Sequence, residues 1–567
     1  MPFAHTRAVA LVGVDGVLVE VQAGLETGIP AFILVGLADK ALSEARERVR
    51  AAVVNSGEQW PQKKLTVGLS PASVPKSGSG FDLAVAVVVL AAAGRLDPRT
   101  IAGRLFIGEL GLDGRVRPVR GVLPAVLSAA DAGYRSVVVP EASAAEAGLV
   151  PGVSVLAVRS LRQLIALLCD EPEPDESAEL GLSAEELEAP SAAADPLAAA
   201  AMVLPGLGFR PSGGWSSGGG SGGAGRPGGK DMADIAGQPT ARRAMEVAAA
   251  GGHHIYLKGP PGAGKTLLAE RLPGLLPPLD QREALEVTAV HSVAGLLPPE
   301  HPLVRVPPFC APHHSTTMPA IVGGGSGLPR PGAVSLAHRG VLFLDEAPEF
   351  AVRVLDALRQ PLESGEVVIA RTAGSMRLPA RFLLVLAANP CPCGRWSLRS
   401  GDCGCSPNAV SRYQARLSGP LLDRIDLRVE VEPVSSAALF GEAGAEAVPG
   451  ESTAVVAARV AAARERAAAR LAETPWRTNA EVPGFELRTR WRAAEGALAD
   501  AERDMERGFL TARGLDRVLR VSWTLADLAG VDAPRREEVR TALDFRLGAF
   551  ARTPVPAPID DYPPAWP

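Results

Sequence analysis

"IYLKGPPGAGKT" (residues 255–266) decides how the middle of this chain folds. A short, largely apolar run leads into Gly259-x4-Gly264-Lys265-Thr266, which is typical of a strand that turns through a glycine-rich loop into a helix. In such a loop backbone N–H groups surround phosphates, the lysine reaches the β and γ oxygens, and the threonine ligates magnesium. The sequence predicts a site for ATP and Mg²⁺ formed by Gly259, Pro260, Pro261, Gly262, Ala263, Gly264, Lys265 and Thr266.

The use of lysine supports this interpretation. Only seven of the 58 Lys and Arg residues are lysine, and none follows Lys265 in the remaining 302 residues. Because the chain uses arginine almost wherever a positive charge suffices, a lysine retained here indicates a specific need. The alternative is a glycine-rich turn that arose by chance.

Two further apolar runs end in polar residues. "GVLFLDEAPEF" (340–350) places Asp345 and Glu346 at the end of a predicted buried strand, where ligands of open α/β sheets lie. Asp345 would hold magnesium with Thr266, and Glu346 would polarise the attacking water. "FLLVLAANP" (382–390) ends in Asn389, whose amide would orient that water or contact the γ-phosphate. Asn389 could equally be a turn residue that ends a strand.

The order of these motifs, followed by "RLSGPLLDRIDL" and "TARGLDRVLRVSWTLADL", resembles an AAA+ ATPase of the magnesium-chelatase-like branch. More narrowly it is similar to the ComM/YifB competence-protein family, for which "RPGAVSLAHRGVLFLDE" and "NPCPCG" are specific. The resemblance implies a ring-forming motor, a homohexamer. Arg424 matches the arginine finger that a subunit lends to its neighbour's γ-phosphate, and Arg513 matches the sensor-2 arginine. Arg416 is a rival candidate for the finger.

The chain is predicted to be α/β, with an AAA+ P-loop α/β core at 231–440 and a C-terminal helical lid at 441–551. Residues 1–169 alternate strand-like and helix-like segments and form a separate α/β domain. Residues 170–188 carry nine acidic residues and no basic one, and ten of residues 212–230 are glycine. This composition predicts a flexible linker over 170–230. A Pro-rich tail follows at 552–567.

The first domain resembles the proteolytic domain of Lon proteases, which has a ribosomal S5 domain 2-like fold. The resemblance rests on "PKSGSGFDLAVAV" (75–87) and the segment from 107 to 140. The position of the nucleophilic serine is occupied here by Gly80, and that of the partner lysine by Leu123. Lys76, beside Ser77 and Ser79, shows no sign of the burial that would lower its pKa. The domain is therefore predicted to be Lon-like and proteolytically inert.

A predicted hairpin is the candidate DNA contact. "EVVIARTAGSMRLPARF" (366–382) has two β-stretches around a turn, and in the resembled branch this hairpin points into the pore of the ring. Arg371, Arg377 and Arg381 would each be repeated six times there, giving the positive field that phosphate binding needs. A solvated sheet edge is the alternative. In the glycine-rich segment 311–332, His313 and His314 could contact substrate or nucleotide, or only pack a turn.

Four of the six cysteines lie within fifteen residues, in "CPCGRWSLRSGDCGC" (391–405). Two close pairs of thiolates suit tetrahedral zinc, so Cys391, Cys393, Cys403 and Cys405 are candidate ligands of a structural Zn²⁺. A single residue within each pair is tighter than the usual spacing of two to four. A reduced loop without metal and a redox pair are the alternatives.

Composition limits where the chain works. The net charge of −5 is not typical of a nucleic-acid-binding protein, so any DNA binding must rest on a local basic surface. The longest apolar run, residues 83–94, is about half of the ~20 residues that cross a bilayer. The N-terminus shows no signal-peptide pattern, so we expect a cytoplasmic protein without membrane association.

Three functions compete. The family resemblance implies a helicase that promotes branch migration on single-stranded, forked or branched DNA, during recombination in natural transformation. The second is a protein-remodelling ATPase of the magnesium-chelatase type, although that role uses an integrin-like partner domain which this sequence does not contain. The third, an ATP-dependent protease, is disfavoured by Gly80 and Leu123.

Overall fold

The computed structural model describes most of the chain. The described residues are 3–36, 44–74, 76, 78–174, 209–210, 230–298, 300–325, 330–371, 374–395, 403–434 and 450–548. Most of the predicted linker and all of the predicted tail lie outside them. Within the predicted linker, Phe209–Arg210 forms a short strand that pairs with Phe309–Cys310.

The N-terminal part of the chain forms a seven-stranded mixed sheet. Its strands and those of a small adjoining ribbon are Phe3–Val12 (β1), Asp15–Glu26 (β2), Ala31–Val35 (β3), Lys64–Ser70 (β4), Leu105–Phe106 (β5), Glu109–Leu110 (β6), Val116–Arg117 (β7), Ser136–Pro140 (β8) and Ser154–Val158 (β9). Across the sheet they run β3-β4-β2-β1-β5-β8-β9, and β6 pairs with β7. Burial alternates along β1 and β4, because successive side chains of a strand point to opposite faces.

Helices pack on this first sheet. They are Ala45–Asn55 (α1), Asp82–Ala92 (α2), Pro98–Ala102 (α3), Val122–Asp131 (α4), Ala144–Ala147 (α5) and Leu161–Cys169 (α6). All eleven residues of α2 are buried, which explains why its sequence lacks the polar stripe of a surface helix.

A second sheet carries the glycine-rich loop. The strands of this part are Phe209–Arg210 (β10), Ile255–Lys258 (β11), Phe309–Cys310 (β12), Gly323–Gly324 (β13), Arg330–Pro331 (β14), Val341–Leu344 (β15), Glu366–Arg371 (β16), Gly374–Pro379 (β17), Leu383–Ala388 (β18) and Leu427–Glu430 (β19). The sheet has the order β10-β12-β15-β18-β11-β19, and all neighbours except β10 and β12 are parallel. β13 with β14 and β16 with β17 form separate hairpins.

Helices surround the second sheet and continue beyond it. They are Pro239–Gly251 (α7), Lys265–Leu275 (α8), Gln281–Ala294 (α9), Met318–Val322 (α10), Ala333–Leu336 (α11), Val352–Ala357 (α12), Arg359–Ser364 (α13), Pro407–Gln414 (α14), Gly419–Leu422 (α15), Thr453–Leu471 (α16), Gly484–Thr489 (α17), Ala499–Glu506 (α18), Ala512–Ala529 (α19) and Arg536–Leu547 (α20). Residues 450–548 contain helices and their connections but no strand. The predicted α/β class is confirmed. Nowhere in the described parts of the chain does a helix have both the length and the apolar character to cross a bilayer.

The two sheets are connected by packed contacts. The backbone N–H of Gly121, at the start of α4, donates to the carbonyl of Ser292 in α9 over 3.3 Å. The turn between β1 and β2 packs against the hairpin, since a Cβ at Gly13 would lie 2.8 Å from Met376 Cγ and from the Arg377 carbonyl oxygen. The first sheet is thus in direct contact with the predicted DNA-contacting element.

Burial of His291 predicts a dependence of stability on pH. His291 is buried in α9, its Nε2 lies 3.1 Å from the Leu336 carbonyl, and burial lowers its pKa to about 4. Because the unfolded chain takes up this proton near pH 6.5, the stabilisation is complete above pH 6.5 and is lost as pH falls towards 4. The free energy of unfolding should drop by about 2 kcal/mol between pH 7 and pH 4.5 through this residue.

Urea unfolding of His291→Gln at both pH values checks this expectation. The glutamine keeps a donor for Leu336 but does not titrate, so the pH dependence should become shallower by that amount. His301→Gln, a change at an exposed histidine, is the control and should leave the pH dependence as it is. Equal slopes for His291→Gln and the unchanged protein would contradict the assignment.

Candidate functional site

The glycine-rich loop connects β11 to α8 in a conformation that needs its glycines. Gly262 and Gly264 have φ of 76° and 92°, the left-handed region that other residues rarely adopt. Gly259 lies against the chain just after β19, and a Cβ there would come within 2.2 Å of the Val431 carbonyl oxygen. The loop and the first turn of α8 together present backbone N–H groups at a helix N-terminus, an arrangement suited to phosphate.

Lys265 is held over this loop. Its ammonium donates to the carbonyls of Gly259 (2.7 Å) and Pro260 (2.9 Å) and to Asn389 Oδ1 (3.1 Å). Only 8% of the residue is exposed, and this burial lowers its pKa against the opposing charges of Asp345 and Glu346. The structure therefore brings together a cation, a glycine loop and an amide side chain, which fit a triphosphate.

Asp345 and Glu346 follow the fully buried strand β15. The Thr266 hydroxyl donates to Asp345 Oδ2 over 2.8 Å, so two oxygen ligands of the kind that Mg²⁺ prefers lie side by side. Glu346 has φ of 49°, which is uncommon for a residue with a side chain and occurs at functional sites. This turn exposes the Glu346 carboxylate at the same edge as the glycine-rich loop.

Asn389 is central because of strand order. It follows β18, which lies between β15 and β11. The carboxyl ends of these parallel strands meet at one edge, so Asn389 lies between the glycine-rich loop and the Asp345–Glu346 turn. Its hydrogen bond with Lys265 favours a role in the site over that of a simple turn residue.

His314 contacts the predicted catalytic base. Its Nδ1 lies 3.2 Å from Glu346 Oε2, and its ring is 4.0 Å from that of His313. His313 instead bonds Ser315 Oγ over 2.8 Å. Both histidines were candidates from the sequence. Which of them reaches the site could not be predicted, because they lie in a loop whose sequence has no periodicity.

Arg424 and Arg513 lie at the edge of the second sheet where its parallel strands begin. This is opposite the edge where the strands end and the glycine-rich loop lies. Arg424 precedes β19 and is 14% exposed; it donates to the Pro420 carbonyl over 2.5 Å and pairs with Glu363. Arg513 is exposed in the first turn of α19. This helix lies along the amino ends of the strands, where Arg517 bonds Asp426 over 3.0 Å. Thr524, further along α19, bonds His253 over 2.7 Å.

These arginines form a cluster. Burial lowers the pKa of Arg424, and the neighbouring charges of Arg359, Arg517 and Arg513 lower it further. The four-residue strand β11, roughly 13 Å long, separates this edge from the glycine-rich loop. Sequence reasoning did not identify Arg359 or Arg517, because arginine is too common in this chain to stand out.

The rival arginine lies elsewhere. Arg416 donates over 3.0 Å to the Pro348 carbonyl and to Glu349 Oε2, directly after Glu346. It therefore lies at the edge that carries its own chain's Asp345–Glu346 turn.

The predicted hairpin is formed by β16 and β17, with Arg371 opposite Gly374 and Val368 opposite Arg377. Arg377 is on the outward face, 69% exposed, 3.4 Å from Glu366. Arg381 lies beyond the end of β17, where its N–H donates to His338 and its side chain is 4.0 Å from Glu481. The tip residues 372–373 and the side chain of Arg371 lie outside the described residues.

The four clustered cysteines come together. Their sulfur atoms all lie within 4.8 Å of one another. The shortest separation, 3.3 Å between Cys391 and Cys393, is well beyond the ~2.05 Å of a disulfide. The cluster directly follows Asn389.

Three sequence-family models match the chain. They are described as "Magnesium chelatase, subunit ChlI" at 231–439, "Subunit ChlI of Mg-chelatase" at 19–143, and "Magnesium chelatase, subunit ChlI C-terminal" at 450–546. The competence protein ComM of Haemophilus influenzae is 38% identical over 548 residues, covering 96% of this chain and 98% of the relative. The chain belongs to the magnesium-chelatase-like ComM/YifB family.

Other relatives agree with this placement. An uncharacterized protein of Mycobacterium tuberculosis is 48% identical over 96% of this chain and 99% of its own length. The magnesium-chelatase 38 kDa subunit of Cereibacter sphaeroides is 27% identical over 35% of this chain and 57% of that subunit. As a ComM/YifB-family member the chain is an AAA+ ATPase, for which the family implies ATP and Mg²⁺.

One expectation about this family member was wrong. Lys76 is 1% exposed, not solvated, and burial lowers its pKa. Its ammonium donates to the Pro71 carbonyl, while the Ser79 hydroxyl donates to Glu109. Leu123 is buried within α4. The hydrogen bond to Pro71 is local, five residues along the chain, but the irregular sequence there has no periodicity from which the burial of Lys76 could be predicted. The absence of peptidase activity stays a prediction.

Proposed function

We propose that this chain is a ring-forming, ATP-driven DNA motor that promotes branch migration in recombination during natural transformation. The observation that carries the proposal is the separation of the nucleotide-binding groups and the arginine cluster onto opposite edges of one sheet. An edge with phosphate-binding groups and an edge with arginines complement each other between two copies of the chain. A head-to-tail interface gives a ring when the rotation between neighbouring copies closes, and we propose such a ring with six copies, a homohexamer.

In this ring each chain would supply most of a nucleotide site. Lys265 and the loop 259–266 bind the phosphates, while Thr266 and Asp345 hold Mg²⁺. When bound, Mg²⁺ neutralises charge on the phosphate oxygens. Glu346 accepts the proton of the attacking water, and Asn389 orients that water.

The neighbouring chain would complete each site. Arg424 and Arg513 stabilise the charge that develops on the γ-phosphate, a role suited to guanidinium groups. His314 holds the Glu346 carboxylate in place until substrate engages.

The hairpin supports DNA as the substrate. Arg377 projects from the outward face of β17, and its 3.4 Å contact with the half-exposed Glu366 is a pairing worth little in water. Six hairpins around a pore would carry Arg371 and Arg377 towards the DNA backbone. Arg381 lies at the base of the hairpin beside Glu481. It would hold the strands of the hairpin in position and would not be the first residue to contact DNA. The name of the ComM relative, a competence protein, fits this role.

Substitution of Arg371 and Arg377 by alanine tests the DNA proposal. Removal of these guanidinium groups should weaken binding to single-stranded and four-way DNA, and flatten the log-log salt dependence by roughly 0.7–0.9 for each phosphate that is no longer neutralised. Arg492→Ala with Arg507→Ala, two exposed arginines in the connections between the C-terminal helices, is the control with equal charge change. DNA affinity is measured by fluorescence anisotropy over a salt series.

An equal reduction of affinity in both double variants would reject the hairpin as the DNA-binding element. No DNA binding by the unchanged protein would favour the second candidate, a remodelling ATPase of the magnesium-chelatase type. The matches of three magnesium-chelatase family models to the chain are the observation that favours this second candidate.

A further inference from the structure

The cysteine cluster has the geometry of a tetrahedral metal site. The Sγ atoms of Cys391, Cys393 and Cys403 are 3.3, 3.6 and 3.6 Å apart, and Cys405 completes the group within 4.8 Å. Four sulfurs bound to zinc at about 2.3 Å would lie about 3.8 Å from one another in a tetrahedron. The observed separations match this arrangement more closely than a disulfide or a set of unrelated thiols.

The cluster is also part of the wall of the nucleotide site. Gly394, with φ of 74°, packs on the glycine-rich loop so closely that a Cβ would lie 2.5 Å from Pro261 Cγ. The Gly394 N–H donates to the Cys391 carbonyl over 3.0 Å. Cys391 itself is fully buried, two residues after the Asn389 that bonds Lys265. The segment 389–394 therefore meets the phosphate-binding loop at two points.

A second segment supports the same wall. Gln414 in α14 donates to the Pro390 carbonyl over 3.1 Å, and α14 begins at Pro407, two residues after Cys405. Cys393 and Cys403 are ten residues apart in sequence, so a metal that joins them would fix the cysteine segment against α14. A metal link of this kind lowers the conformational entropy of the chain segments around the nucleotide site.

We propose that Cys391, Cys393, Cys403 and Cys405 bind one Zn²⁺, and that this zinc holds Asn389 and Gly394 against the glycine-rich loop in the form that binds ATP. Removal of the zinc releases Gly394 from Pro261 and loosens the hydrogen bond between Asn389 and Lys265. The affinity for nucleotide then falls although no ligand of the metal touches the nucleotide. The metal assignment stands alone, whereas its effect on nucleotide rests on the proposed ATP site.

The first test is metal content. Mass spectrometry of the purified full chain should find about one zinc per chain. Cys393→Ser with Cys405→Ser should lose it, while Cys169→Ser, a change outside the cluster, should retain it. Less than about 0.2 zinc per chain in the unchanged protein would overturn the assignment. Equal zinc in the double variant would overturn it as well.

The second test distinguishes the effect of the metal on nucleotide binding from the effect of the contact between Gly394 and Pro261. A zinc-selective chelator, followed by restored Mg²⁺, should weaken binding of a fluorescent ATP analogue at least tenfold, the scale on which supporting residues act. Gly394→Ala should keep its zinc and still weaken binding, because the new Cβ displaces Pro261. Circular dichroism checks that both samples remain folded, and chelation of the unchanged protein does not depend on the variant folding.

The outcomes distinguish the two proposals. If the zinc-loaded protein fails to bind the analogue, the ATP site itself is wrong. If it binds the analogue and chelation leaves that affinity unchanged, the link between zinc and the nucleotide site is wrong. Restoration of affinity by added Zn²⁺ in the chelated protein supports the proposal.

Discussion

Replacement of Glu346 by glutamine should reduce ATP turnover at least about 100-fold while ATP binding is retained, since general-base catalysis contributes on the order of 10²–10⁴. The left-handed backbone at Glu346 exposes the carboxylate beside Asp345 and Lys265, and glutamine preserves its size but cannot accept the proton. Thr266 and Asp345, which would hold Mg²⁺, are unchanged. Affinity for an ATP analogue should therefore stay within about threefold.

Glu349→Gln provides the matched control. Glu349 is three residues away on the same turn, but it pairs with Arg416 over 3.0 Å. Its replacement should alter turnover by no more than about twofold, because it is not placed to accept the proton. Turnover is measured by phosphate release at saturating ATP. A Glu346→Gln protein with the turnover of the unchanged chain would refute the assigned base.

Arg424→Ala should abolish turnover in a homogeneous sample and regain part of it when mixed with Lys265→Ala. An arginine supplied in trans contributes about 10³–10⁵ to kcat, and Lys265→Ala removes the counter-charge of the phosphates. Mixing creates interfaces that join an intact loop from one variant to an intact Arg424 from the other. Random assembly gives about a quarter of all interfaces this composition.

The opposite edges of the sheet are the reason for this expectation. If Arg424 served its own chain's site, no mixture of the two variants could exceed the sum of the separate activities. Arg416→Ala is the informative comparison, because Arg416 lies beside its own Asp345–Glu346 turn. Recovery with Arg416→Ala but not with Arg424→Ala would transfer the role of finger to Arg416.

The nucleotide-binding edge could be predicted because each of its parts follows an apolar strand. The runs before Gly259, Asp345 and Asn389 identify buried strands, and parallel strands end at a common edge. The hydrogen bond between Asn389 and Lys265 needed the strand order as well, which places β18 between β15 and β11.

The arginine edge could not be predicted in the same way. Its position depends on α19, which is held by Thr524 on His253 and by Arg517 on Asp426, hydrogen bonds that join residues 271 and 91 positions apart. No local pattern records such packing. The packing of Gly394 on Pro261 escaped prediction for the same reason. The burial of Lys76 is a different case: its acceptor, the Pro71 carbonyl, is only five residues away, but the irregular sequence there has no periodicity that indicates burial.

The close packing at Gly13 gives the hairpin a support on one side. Because a Cβ there would lie 2.8 Å from Met376 Cγ and from the Arg377 carbonyl oxygen, the β1–β2 turn and β17 are in direct contact. If ATP turnover displaces the hairpin along DNA, displacement towards the N-terminal sheet would press on this turn, so the N-terminal sheet would favour displacement in the other direction.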